Sequence, residues 1–188
     1  MEQQVSIKDI TANPGPLGLY GFAMTTILLN IHNAGIYPIS VMIMGMGIFY
    51  GGLAQFIAGL MEWKKGNQFP AIAFISYGAF WMSLVFIWAG PQMGLPKADP
   101  ISMGFYLSIW GFFTLMNFIQ TLNGNLTGKL LFGSLTLLFL LLAVSNFTGL
   151  AWVGTLAGIE GIICGMIAFY EATACMINHK FSKTVLPL

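Results

Sequence analysis

Asn13-Pro14-Gly15-Pro16-Leu17-Gly18-Leu19-Tyr20-Gly21-Phe22 opens a run that carries no charged residue until Glu62. The stretch reads as the start of a helix. Asn13 is suited to the N-cap, where its side-chain oxygen accepts from a backbone N–H of the first turn. A following proline pushes Asn13 toward the extended backbone that a cap needs. Pro14 then falls at the first helical position, where its missing N–H costs nothing. Gly15, Gly18 and Gly21 recur every third residue and leave one face small enough for another helix to approach closely. The unpaired N–H groups of that turn give a weak preference for anions. The apolar residues that follow are numerous enough to cross a bilayer, which needs about 20.

The rest of the chain repeats this pattern. Of 188 residues, 57% are hydrophobic and 7% charged, against about 25% charged in soluble domains. Charge is also absent between Lys65 and Lys97, between Asp99 and Lys129, and between Lys129 and Glu160. A water-exposed surface would need charge in those stretches, and a bilayer does not. The sequence therefore predicts an all-α integral membrane protein with no room for a separate soluble domain. Net charge is +1, with no basic stripe for nucleic acid. The N-terminus does not resemble a cleavable signal peptide. Cys164 and Cys175, separated by ~16 Å of helix, cannot pair with each other and read as packing residues.

Six apolar runs are predicted as spans of a single transmembrane domain over 1–188: 14–33, 38–61, 69–90, 101–122, 130–147 and 150–177. The breaks carry turn signals such as Lys64-Lys65-Gly66-Asn67 and Asn123-Gly124-Asn125. With six spans, Lys8, Lys64, Lys65, Lys129, Lys180 and Lys183 share one side and Lys97 stands alone on the other. Positive residues collect on the cytoplasmic side, so both termini are predicted to be cytoplasmic.

Few ionisable residues fall within the bundle. Glu160 lies ~15 Å into the last span, where a carboxyl usually faces the protein or water. Proton relay and a helix–helix hydrogen bond are both open for it. Glu171 shares its face, three turns on, and is expected to be solvated. His32 is expected to cap a carbonyl. No metal set is apparent, since His32 and His179 lie on opposite sides. Gly47 with Gly51, Gly154 with Gly158, and Gly161 with Gly165 have the spacing of close helix contacts, within a protomer or between protomers.

Asn13 to Phe22 resembles the signature of the acetate uptake transporter family, also called the succinate–acetate permease family. That signature usually runs Asn-Pro-Ala-Pro-Leu-Gly-Leu, and this chain has Gly15 in place of Ala. Further segments resemble the family in order. They include Met24 to Asn33, Met46 to Gly52, Ala58 to Glu62, Lys64 to Asn67, Ser76-Tyr77-Gly78, Trp110-Gly111, Ile163-Cys164-Gly165 and the tail Phe181 to Pro187. The tail carries Ser182 and Lys183 where Gly and Arg are usual.

The resemblance implies six-helix protomers, each around its own narrow central path, assembled as a homohexamer in a prokaryotic inner membrane. It implies passage of acetate, with succinate or other small carboxylates in some members, by proton-coupled uptake or channel-like anion flow. It implies no cofactor. By local motif it places the pore constriction at Phe22, Tyr77 and Leu135. Neutral polar residues are then the candidates for the substrate path: Asn13, Thr25, Thr26, Asn30, Asn33, Ser76, Asn117 and Gln120, with Glu160 as a protonatable group. Weak neutral donors around an apolar neck suit a solute with one polar end and one methyl, because burying a bare carboxylate there is costly. A channel for a neutral solute such as urea or a short amide is the alternative.

Overall fold

The structure, a computed structural model, describes residues 11–188. Lys8, counted above for orientation, lies outside them. In chain order the elements are α1 (Gly15–Asn33), α2 (Val41–Ile48), a π-helical turn (Phe49–Ala54), α3 (Gln55–Lys64), α4 (Gln68–Ala89), a 3₁₀ turn (Gly90–Met93), α5 (Pro100–Thr121), α6 (Leu126–Thr148) and α7 (Ala151–Phe181). The run α2–π–α3 is one continuous rod, so six rods make the bundle. Five of the six are long and apolar enough to cross a membrane. The sixth, α1, has 19 residues and carries Thr25, Thr26, Asn30, His32 and Asn33.

Several bounds differ from the sequence reading. The second rod begins at Val41 rather than 38, because Ser40 is extended (φ −142°, ψ 166°) and its carbonyl receives the N–H groups of Ile43 and Met44. It continues through Glu62 to Lys64, since a buried carboxyl can stay helical. The fifth rod starts at Leu126, where the Asn125 side chain accepts from Gly128 N at 2.9 Å. It ends at Gly149, whose φ of 69° stops the helix. The last rod runs to Phe181 and includes the polar residues Asn178, His179 and Lys180, which favour helix without favouring lipid.

Small residues set the packing. A methyl built on Gly158 would stand 2.2 Å from Ala34 N, and one on Gly161 would stand 2.1 Å from the Asn30 amide carbon. Gly165 meets Ile27 in the same way. Gly158, Gly161 and Gly165 of α7 thus pack against α1, while Gly154 faces Ser145 on α6. The π turn does similar work opposite. It brings Gly51 against Thr25 and the Tyr50 carbonyl against Gly21.

The rods form a ring. The second rod and α7 flank α1, α6 follows α7, α5 follows α6, and α4 packs on α3. The ring closes between α4 and α5 through long side chains. Tyr77 and Thr114 share a hydrogen bond of 2.9 Å, Ser83 and Tyr106 one of 2.7 Å. The Phe80 ring lies 5.2 Å from Trp110 and 5.8 Å from Tyr106. Outward faces carry Phe49, Phe86, Phe105, Ile109, Trp152 and Ile163, all exposed, a surface suited to lipid.

Candidate functional site

Two cavities enter the ring from opposite ends. The inner one, about 420 Å³, opens at the end that holds Lys64, Lys65, Lys129, Lys180 and Lys183. Leu19, Phe22, Gln55, Tyr77, Leu135 and Glu171 are among its lining residues. The outer one, about 790 Å³, includes Leu29, His32, Asn33, Phe80, Lys97 and Asp99 in its wall. Tyr77 belongs to the inner cavity and Phe80 to the outer. Along α4 they are therefore separated by less than one turn, roughly 5 Å.

Phe22, Tyr77 and Leu135 all line the inner cavity. All three are at least 94% buried. The Phe22 and Tyr77 rings are 6.0 Å apart, and Tyr77 also packs against Phe113, Trp110 and Phe132. The Tyr77 hydroxyl bonds to Thr114, whose own hydroxyl also reaches the Trp110 carbonyl at 2.7 Å. These contacts brace Tyr77 from the α4–α5 side. Leu138 and Phe139 are buried beyond it on α6.

The polar candidates divide. Asn33 lines the outer cavity and Gln120 the inner. Asn13 stands exposed at the start of α1. Its Oδ1 accepts from Gly15 N at 3.0 Å, while Pro14 takes the cap position because its carbonyl receives Leu17 N and Gly18 N. A methyl on Gly15 would lie 3.1 Å from Asn13 Oδ1 and 3.4 Å from Glu62 Oε1. Glycine thus leaves room for both oxygens where the family usually has alanine.

Thr25, Thr26, Asn30, Ser76 and Asn117 line neither cavity. Thr25 donates to Met46 O at 3.4 Å across the α1–α2 contact. Asn30 donates to Thr26 O at 2.9 Å and accepts from Asn33, wedged against Gly161. Asn117 bonds back to Phe113 O at 2.9 Å. Ser76 is half-buried. Thr26 is buried, and its hydroxyl has no protein partner.

Glu160 also lines neither cavity. Ser134 donates to one of its oxygens across the α6–α7 contact, and the other is buried without a partner. Glu160→Gln is therefore expected to leave the pH dependence of flux unchanged. A displaced pH profile in vesicles would refute that expectation.

Sequence reasoning missed Gln55 and Glu62, and it gave Glu171 a solvated place and Cys175 a packing one, whereas both line the inner cavity. Gln55 is 1% exposed beside Phe22, with Oε1 unpartnered. The signal for it was an amide inside an apolar run. Glu62, 2% exposed, accepts from Asn67 Nδ2 at 2.5 Å and holds the α3–α4 turn. Cys175 lines the inner cavity instead of merely packing. In the outer cavity His32 Nδ1 faces the Tyr37 carbonyl at 2.8 Å, so that nitrogen carries the hydrogen. Hydrogen bonds from Ser102 hold the Asp99 carboxyl below the usual carboxylate range. Asp99 is therefore an anion beside cationic Lys97 in the outer wall. Among the described residues no group of three His, Cys, Asp or Glu could hold a metal.

A ring of apolar rods with buried side chains between two cavities defines a multi-pass helical membrane protein. The chain belongs to the GPR1/FUN34/yaaH family, whose profile matches residues 2–188. It is 51% identical over 178 residues to the succinate-acetate/proton symporter SatP of Escherichia coli K12, covering 94% of this chain and 95% of that one. It is 40% identical over 180 residues to ammonia transport outward protein 2 of Saccharomyces cerevisiae, covering 91% of this chain and 64% of that one. The solved structure of the bacterial acetate channel SatP superposes with a TM-score of 0.93 at 50% identity, covering 95% of this chain and 99% of that one.

Proposed function

We propose that this protein passes acetate, and succinate or similar small carboxylates, across the membrane through the path of each protomer. Six spans with both termini cytoplasmic make the inner cavity the cytoplasmic one. Phe22, Tyr77 and Leu135 form the size filter, and six protomers assemble into a hexamer. The observation that carries this reading is the neck itself. Two aromatic rings and a leucine separate two open cavities, in a chain half identical to a succinate-acetate symporter and to an acetate channel. The neck has no cation to hold an anion, so a small solute crosses without being trapped. The protein acts as a carrier of solute and not as an enzyme.

Proteoliposomes with the membrane potential clamped test this. Labelled acetate is expected to enter and labelled urea to be excluded. Urea entry without acetate entry would instead establish the neutral-solute channel. Acetate flux that drives protons inward marks symport, and flux that follows the potential marks an anion channel.

A further inference from the structure

The inner cavity holds one carboxylic acid among its lining residues. Glu171 stands on α7 about four turns beyond Gly158, facing Gln120, Thr121 and Asn125 across the opening. Gln55, Phe22 and Tyr77 lie deeper. Of the lining residues, only Tyr77 and Cys175 are titratable besides it, and no lysine lines the cavity. One Glu171 oxygen is buried without a hydrogen-bond partner. Glu160, on the same helix, differs in facing Ser134 on α6. Glu171 was expected to be solvated at the cytoplasmic end. It stands instead in the wall of the path, in front of the neck.

We propose that Glu171 is a charge filter of the inner cavity, which disfavours dicarboxylate dianions relative to monocarboxylates and relaxes when it is protonated. The inference rests on the carboxylate-transport reading above. Its physical basis is a carboxyl that has the Asn125 side chain as hydrogen-bond partner but no counter-charge in the cavity lining. No lysine lines the cavity with Glu171, and the cavity walls are largely aromatic and aliphatic, so the field of the ionised group is weakly screened. A monoanion passing Glu171 meets one repulsion. A dianion meets two. Acidification neutralises Glu171 and turns it from a repelling acceptor into a hydrogen-bond donor. Discrimination is therefore lost as pH falls. Cys175, one turn away, is a neutral thiol when protonated and does not supply the missing counter-charge.

The test measures succinate and acetate flux separately in proteoliposomes at clamped potential, near pH 7.5, where both substrates are fully ionised. Two unit charges held about 6 Å apart at an effective dielectric near 20 repel strongly enough to change passage by more than about tenfold. Glu171→Gln is thus expected to raise the succinate-to-acetate ratio by at least about tenfold, and Glu171→Asp to keep the wild-type ratio. Acetate flux retained in Glu171→Gln with an unchanged ratio overturns the filter while leaving acetate transport standing. Absence of acetate flux in the wild type overturns both. Should Glu171→Gln fail to reach the membrane, Glu171→Ser decides: its succinate-to-acetate ratio must rise in the same way, and an unchanged ratio with acetate flux retained overturns the proposal.

Discussion

Leu135→Ala is expected to raise the lactate-to-acetate flux ratio about tenfold, the discrimination that one small group commands in an apolar pocket. Leu135 is 3% exposed and meets the inner cavity at the level of Phe22 and Tyr77. Those two rings are braced, Tyr77 by Thr114 and by Trp110, Phe113 and Phe132. The aliphatic side is the one that can be cut back without collapsing the aromatic cluster. Truncation widens the passage on that side by most of a leucine side chain. A buried leucine-to-alanine change costs about 2–5 kcal/mol, and the lower end applies here because one side of Leu135 already faces a cavity. Flux must be normalised to folded protein, and a ratio does this internally. An unchanged ratio would remove Leu135 from the neck. Tyr77→Phe serves as the companion. It keeps the ring and loses only the hydroxyl contact to Thr114, so it should leave the ratio close to wild type.

The second large effect is structural. Gly158→Val is expected to prevent assembly of the protomer, seen as loss of the monodisperse detergent peak. The added carbon would stand 2.2 Å from Ala34 N and 2.6 Å from Asn33 C. Both are backbone atoms at the end of α1, so no rotamer change relieves the clash and the two helices must part. Overpacking a close-packed site commonly costs about 1–3 kcal/mol and more where backbone must move. Here the separation would also disturb Asn30 and Asn33, whose hydrogen bonds close the top of α1. Gly161→Ala should be milder, because its neighbour is the Asn30 side chain. Gly45→Ala is the control, since nothing lies within 4 Å of its added methyl. Equal melting temperatures for Gly158→Val and Gly45→Ala in detergent would contradict the packing argument.

Much of the fold was legible in the chain because the causes are local. Charge-free runs of more than twenty residues mark rods that suit lipid. Asn125, Gly149 and Asp99-Pro100 punctuate them by capping and turn chemistry that depends on nearest neighbours. The lysines separate into two groups at the two ends. The π turn at Phe49–Ala54 was not legible, because it answers to the Thr25 side chain and to the close approach of Gly78 on other rods rather than to its own residues. The division of polar residues was hidden for a related reason. Thr25, Asn30 and Asn117 look like path residues in the sequence, yet they bond to neighbouring backbone and to other rods. Gln55 attracted no attention and Glu171 was expected to be merely solvated, yet both line the inner cavity.

The sequence by itself determined that this is a helical membrane protein, where its rods begin and end to within a few residues, and which end holds the positive charge. Those properties follow from transfer of side chains to lipid and from caps, which act residue by residue. Only the tertiary structure decided which side of each rod faces the path. A rod that is apolar all round carries no amphipathic signal to orient it, so its inward face is chosen by shape. Gly158 and Gly161 turn α7 against α1, and tyrosine and tryptophan rings join α4 to α5. The same choice put Glu171 into the inner cavity and set Glu160 against Ser134.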